Sequence, residues 1–349
     1  MENLERICIK VIQFIRYEWG CFKIRMSKKN MSELMQIVVG GNNRIPVDIL
    51  RPLSTSINAN NAFPAGKIIE FETRRDELCF KVVYKKRCVL KHMSITGTSG
   101  IDVYLIEGES YSWIKCIAPN SNTQMYVKET IKLGNGLKKI CCFMPSYASV
   151  NNFLVDDDIV FTSKKDKKTK IAFYGSSITH GCAASRPALS YSNLIAKRLN
   201  CEILNFGFSE SAKGEHDVIE YISNLGVKVM VIEYDHNASV MELKDSHLNV
   251  YKTIRNNSNC WIIFMSRFSG GISISVDEET ERVEIIKKTY EYAVKAGDRK
   301  VRFIDGRKLF NNDKSGYFVD GVHPNDLGMY YISEKIYSVI LEGEMLNED

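Results

Sequence analysis

Hydrophobic and polar positions follow two different rhythms along this chain. Between about residues 31 and 163 the apolar runs are short and alternate with polar positions, as in "KIIEFET", "LCFKVVYKK", "IDVYLIEG" and "KKICCFMP". Successive side chains of a strand point to opposite faces, so such runs predict strands. Turn-rich pieces, "TGTSG", "PNSNT" and "LGNG", separate them, and no long helical pattern intervenes. Residues 31–163 are therefore expected to form an all-β sandwich, jelly-roll-like in character.

Beyond a lysine-rich stretch the rhythm changes. The apolar runs "KIAFYG", "CEILNFGFS", "VKVMVIEYD", "CWIIFMSRF" and "KVRFID" are each followed by a segment with helical spacing, the last after "DGVHPND". Five buried strands alternating with helices predict an α/β unit, a parallel sheet covered on both faces. In such a sheet ligands bind outside the carboxyl ends of the strands, which gathers all the strand-end loops into one crevice.

Composition narrows the class without naming a chemistry. The chain has 349 residues and a formal net charge of +5, and its one basic run, "KKDKKTK" at 164–170, lacks interleaved aromatics. That run is expected to be a solvated linker, and no nucleic-acid partner is expected. Ten cysteines lie at irregular spacings with no CxxC pair. They are read as free thiols in a reducing compartment, with no metal site. Residues 1–30 carry Lys10 and Arg16 among apolar positions and lack a small-residue cleavage site. This segment is expected to be a docking helix rather than a signal peptide, a surface helix or a membrane span, and the protein to be cytoplasmic. The oligomeric state stays open.

The strand ends carry the candidate chemistry. The first offers Ser176 and Ser177 in "YGSSITHG", the second Gly207 in "NFGFSES", the third Asn237 in "YDHNAS", and the last segment Asp320 and His323 in "DGVHPND". Taken singly, each is a common turn or cap residue. Together they are the parts of acyl transfer: a serine, a base, a carboxylate to orient it, and amide donors for an oxyanion. The stretch "GSSITHG" is neither the GxSxG elbow of α/β-hydrolases nor a phosphate-binding loop.

In order and spacing, "YGSSITHG", "NFGFSESAKG", "YDHNAS" and "DGVHPNDLG" resemble the four signature blocks of the SGNH, or GDSL-type, hydrolases. The resemblance covers about residues 168–345. It implies a flavodoxin-like three-layer α/β/α hydrolase domain, working without metal or organic cofactor. By position, Ser177 looks like the nucleophile, Asp320 and His323 like the rest of its triad, and Ser177, Gly207 and Asn237 like the oxyanion donors. Two positions depart from the family pattern. Ser176 stands where an aspartate usually precedes the nucleophile, so a local hydrogen bond must be made differently. In the third block Asp235 and Ala238 replace a glycine and an aspartate.

With its preceding β-sandwich the chain is similar to a bacterial branch related to carbohydrate esterases such as acetyl-xylan esterases. This implies a serine esterase acting on short acyl, above all acetyl, esters of a carbohydrate. The alternatives are an esterase or lipase of the same fold acting on a lipid or acylated metabolite, and a non-catalytic carbohydrate-binding protein. Arg186, Lys213, Asp235 and Arg267 fall in strand-end segments and are weaker candidates for substrate contacts. His180 and His236 adjoin the blocks. The loop "SRFSGGISISVDEET" is a candidate cover for the crevice.

Overall fold

The computed structural model describes residues 23–24, 35–38, 43–50, 55–156, 159–161, 169–268, 274–310 and 314–347. Ten antiparallel strands build the first part as two five-stranded sheets. One sheet is ordered β1 (Lys23–Ile24), β2 (Met35–Val38), β9 (Ala148–Val155), β4 (Glu77–Arg87), β7 (Tyr126–Lys132). The other is ordered β10 (Ile159–Phe161), β3 (Ile68–Thr73), β8 (Lys138–Phe143), β5 (Ile101–Glu107), β6 (Ser110–Ile117). Phe71, Phe80, Val82, Ile140 and Phe153 fill the space between them. The expected sandwich is therefore present.

The strand β8 is apolar through its last four positions, Ile140 to Phe143, where both of its faces are covered. Ile140 and Cys142 point into the sandwich core, whereas Cys141 and Phe143 join the core of the second part. Period-two alternation thus lets one strand serve two cores. β5 does the same, with Val103 facing inward and Tyr104 facing outward.

The second part is a parallel sheet of β11 (Lys170–Gly175), β12 (Glu202–Gly207), β13 (Val229–Glu233), β14 (Trp261–Met265) and β15 (Val301–Ile304), in the order β12-β11-β13-β14-β15. This is the flavodoxin-like order, with its switch point between β11 and β13. Helices Tyr191–Leu199 and Asp326–Glu342 cover one face, through Tyr191, Ile195, Met329 and Ile336. Helices His216–Ser223, Val240–Asn257 and Val276–Lys295 cover the other, through Val218, Ile222, Leu243, Val250 and Ile286. The central strands are buried on both sides, which explains their continuous apolar runs.

No helix among the described residues is long and apolar enough to cross a membrane. The described cysteines form no disulfide. The docking helix expected over 1–30 lies outside the described residues apart from β1, as does the lysine-rich stretch apart from its last residues.

Candidate active site

The nucleophile candidate stands where β11 turns into the short helix Ser177–His180. Gly175 is required at this turn, since a Cβ there would come within 2.3 Å of Thr179 Oγ1 and 2.6 Å of Glu233 O. Ser176 caps the helix, its Oγ accepting from Ile178 N at 3.1 Å. Ser177 is thereby left as the first helical residue, with its hydroxyl free for other work. Its Oγ lies 2.9 Å from His323 Nε2, and His323 Nδ1 lies 2.8 Å from Asp320 Oδ2.

The loop that carries these two partners is held locally. A bridge joins Phe318 to Pro324, and Val319 N donates to His323 O. The following helix starts at Asp326 with Asn325 as its cap, so His323 does no capping and turns toward Ser177. Asp320 Oδ1 accepts the amides of His323 at 2.8 Å and Val322 at 3.1 Å. Burial pushes the Asp320 carboxyl up, but the hydrogen bonds from His323 and Val322 outweigh it and hold the group below its ordinary value. An ionised Asp320 keeps a proton on His323 Nδ1 and leaves Nε2 as the acceptor for the serine hydroxyl.

The place of the missing aspartate is taken from a neighbouring strand. Glu233, fully buried at the end of β13, accepts from Ser176 Oγ at 2.9 and 3.1 Å, from Ser176 N at 3.3 Å and from Thr179 Oγ1 at 2.7 Å. Burial pushes its carboxyl up to about 7, against the hydrogen bonds from Thr179 and Ser176. Sequence reasoning did not single out Glu233. Its one signal is an acidic residue closing an otherwise apolar strand, "VKVMVIEYD".

The oxyanion donors need one correction. Gly207 N–H is donated to Asn205 Oδ1 at 2.9 Å, and a Cβ at Gly207 would lie 2.1 Å from His180 N. This glycine lets β12 pack against the nucleophile's own helix, and its amide is committed inside the protein. Asn237 fits better: one Nδ2 hydrogen goes to Phe208 O at 2.9 Å, and the second is left over. In the turn after Phe208, the amides of Ser211 and Ala212 both donate to Phe208 O. Glu210 sits there in the left-handed region at φ 59°. The amides of Ser209 and Glu210 take part in none of these bonds, so they replace Gly207 as candidates on this strand end.

The sandwich contributes to the site. The ring of His92 stacks on His323 with centroids 4.7 Å apart, and Tyr147 OH bonds Ser209 Oγ at 2.6 Å and Ser177 O at 3.4 Å. Neither residue was singled out by the sequence, because each becomes local to the serine only through domain packing.

Residues 167–341 match the model of the GDSL-like lipase/acylhydrolase family. The chain belongs to that family. Residues 33–158 match the N-terminal domain of SGNH-hydrolase-type esterases. The GDSL-family chain is thus a carboxylic ester hydrolase carrying a sandwich domain that is itself a recognised companion. No curated protein matches it. Among solved structures it is similar in fold to a protein described as a GDSL-like lipase from Bacteroides ovatus, with TM-score 0.79 and 21% identity over 86% of this chain and 91% of that one. A salicylyl-acyltransferase from a tetracycline biosynthetic pathway aligns with TM-score 0.72 and 15% identity over 94% of both chains. An acetyl xylan esterase from the rumen bacterium Butyrivibrio proteoclasticus aligns with TM-score 0.51 and 12% identity over 80% of this chain and 90% of that one.

The weaker substrate-contact candidates of this GDSL-family chain are engaged elsewhere. Arg186 Nη1 meets both oxygens of the buried Asp102 at 3.2 Å and Tyr104 OH at 2.9 Å, and its guanidinium lies over Trp113. It ties the hydrolase domain to the sandwich. Lys213 pairs with Glu242 at 2.7 Å near the start of a helix. Asp235 is buried, accepting from Arg267 N at 2.7 Å and from Arg282 Nη1 at 3.1 Å. Arg267 is itself buried beside that carboxylate. His180 bonds Ser146 O at 2.7 Å and stacks on Tyr147. His236 is held neutral by burial and by Arg267 and His323. Residues 269–273 of the expected covering loop lie outside the described residues.

Proposed function

We propose that this chain hydrolyses short acyl esters, acetyl above all, of a carbohydrate through an acyl-enzyme on Ser177. One observation carries the reading: the unbroken relay from Ser177 Oγ to His323 Nε2 at 2.9 Å and from His323 Nδ1 to Asp320 Oδ2 at 2.8 Å. His323 takes the serine proton as Oγ attacks the carbonyl carbon, and returns it to the leaving alcohol as the ester bond breaks. Water then gives its proton to the same histidine and attacks the acyl-enzyme, freeing the acid and regenerating Ser177. The Ser177 amide, the free Nδ2 hydrogen of Asn237 and an amide of the 209–210 turn receive the negative charge that builds on the carbonyl oxygen. The acetyl and sugar preferences rest on likeness to carbohydrate esterases and on the sandwich domain.

The test is hydrolysis of para-nitrophenyl acetate, butyrate and octanoate by the full chain and by Ser177→Ala. Acetate is expected to be fastest and the variant inactive. Preference for octanoate would move the substrate to a lipid or acylated metabolite. Inert wild type together with failure of a fluorophosphonate to label Ser177 would overturn the acyl-enzyme reading.

A further inference from the structure

The histidine that the sandwich sets against His323 belongs to a set of soft donor atoms that no stretch of sequence displays. The rings of His92 and His323 are nearly parallel, at 3°. Both Nδ1 atoms face one carboxylate oxygen, Asp320 Oδ2, that of His323 at 2.8 Å and that of His92 at 3.9 Å. Both Nε2 atoms therefore leave the stack on the side away from Asp320. That of His323 meets Ser177 Oγ at 2.9 Å, and that of His92 meets Cys182 Sγ at 3.0 Å. One donor atom from each of His92, Cys182 and His323 lies within 4.8 Å of the others.

Two imidazole nitrogens and a sulfur are the donors that favour zinc-like ions over hard cations. In a tetrahedral zinc site with bonds of about 2.0 to 2.3 Å, neighbouring ligand atoms lie about 3.5 Å apart, so closing this set takes movements of about 1 Å and a tilt of the two parallel rings that makes their in-plane lone pairs converge on the ion. A carboxylate hydrogen-bonded behind a ligating imidazole fixes the ring and strengthens its donor atom, as Asp320 does for His323 at 2.8 Å, with His92 Nδ1 further off at 3.9 Å. His92 and His323 are part-exposed, which leaves an ion a way in.

We propose that His92, Cys182 and His323 form a binding site for a soft divalent cation, Zn2+ first among them, and that the bound ion switches the enzyme off. The ion takes the Nε2 lone pair of His323, so the Ser177 hydroxyl loses its base. The Cys182 thiol releases its proton to solvent as its sulfur becomes a ligand. Ser177 Oγ or a water completes the tetrahedron. Inhibition rests on the reading of His323 as base; binding does not.

The test uses the full chain with Co2+ as a spectroscopic substitute. Wild type is expected to show thiolate-to-cobalt charge-transfer absorption with tetrahedral d–d bands, displaced by Zn2+. Cys182→Ser is expected to lose the charge-transfer band, and His92→Gln to bind at least tenfold more weakly. In parallel, ester hydrolysis is measured against buffered free Zn2+, each protein compared with its own zinc-free rate. Inhibition reversible by EDTA is expected in wild type, with at least tenfold more zinc needed in either variant. Absence of the thiolate band overturns the site, as does a band unchanged in both variants. Equal zinc sensitivity in all three proteins overturns the switch and points to another group, such as the exposed His216, Asp217 and Glu220. A band that depends on both residues in a protein without esterase activity upholds the site and overturns the proposed function instead.

Discussion

The Ser177 hydroxyl lies 2.9 Å from His323 Nε2, and in the proposed mechanism that nitrogen is its base. Ser177→Ala is expected to abolish measurable ester turnover while leaving the thermal transition in place, because the residues of such a relay act as a unit. Asn237→Ala removes a donor that acts where charge develops, and turnover is expected to fall roughly a hundredfold or more. Steady-state kinetics will separate this from a binding defect, which would raise KM alone. Glu233 makes a different prediction. With its carboxyl raised from 4.5 to about 7, the folded chain holds that proton more tightly than the unfolded chain does. Stability must then fall as pH rises from about 4.5 to 7, by about 3 kcal/mol from this group. Glu233→Gln lacks this dependence. Denaturant unfolding at pH 4.5 and pH 8 should show the variant gaining on wild type by about that amount; a pH-independent difference would refute an ionising Glu233.

Elements explain why some strands looked as they did. The strand character of β8 and β5 was legible, but which alternate set of side chains faced which core was not. A strand presents two faces, and only the neighbouring layers decide whether both are covered. Asp102 shows the consequence. Placed among apolar residues of β5, it is fully buried, and burial pushes its carboxyl up while Arg186 opposes the shift. Arg186 reads in sequence as a plausible substrate contact because it follows the nucleophile, yet it answers a buried carboxylate from 84 residues earlier. Arg186→Met strands that carboxylate and is expected to cost roughly 2 kcal/mol or more in unfolding free energy, with the guanidinium's partial exposure limiting the loss. Asp102→Asn combined with Arg186→Met should recover part of it. Failure of the double variant to recover any stability would separate the two residues.

For the whole molecule, the site belongs to both parts. The sandwich supplies His92 and Tyr147 to the neighbourhood of Ser177, and Ile68, Tyr104 and Phe143 to the core beneath the catalytic sheet. Buried Arg44, from the segment between β2 and β3, donates to Asn205 O at 3.0 Å and Gly207 O at 2.7 Å. Residues 168–345 expressed alone are expected to expose this apolar face and to aggregate or lack a cooperative transition by circular dichroism. A soluble, active fragment would show that the hydrolase domain stands by itself.

By itself the sequence determined the two architectures and singled out Ser177, His323 and Asp320 as the candidate relay. Strand and helix periodicity is written in consecutive residues, and strand-end loops of a parallel sheet must meet in one crevice. Tertiary structure alone decided that Glu233 replaces the absent aspartate and that His92 lies on His323. Each of these depends on where a polar group finds its partner once buried. Ser176 finds Glu233 at a separation of 57 residues, and His92 finds Cys182 at 90. A hydrogen bond requires proximity within about 3 Å and a favourable angle. Sequence patterns supply neither for groups so far apart: the pairing of β11 with β13 brings Ser176 to Glu233, and the packing of the two parts brings His92 to Cys182 and His323.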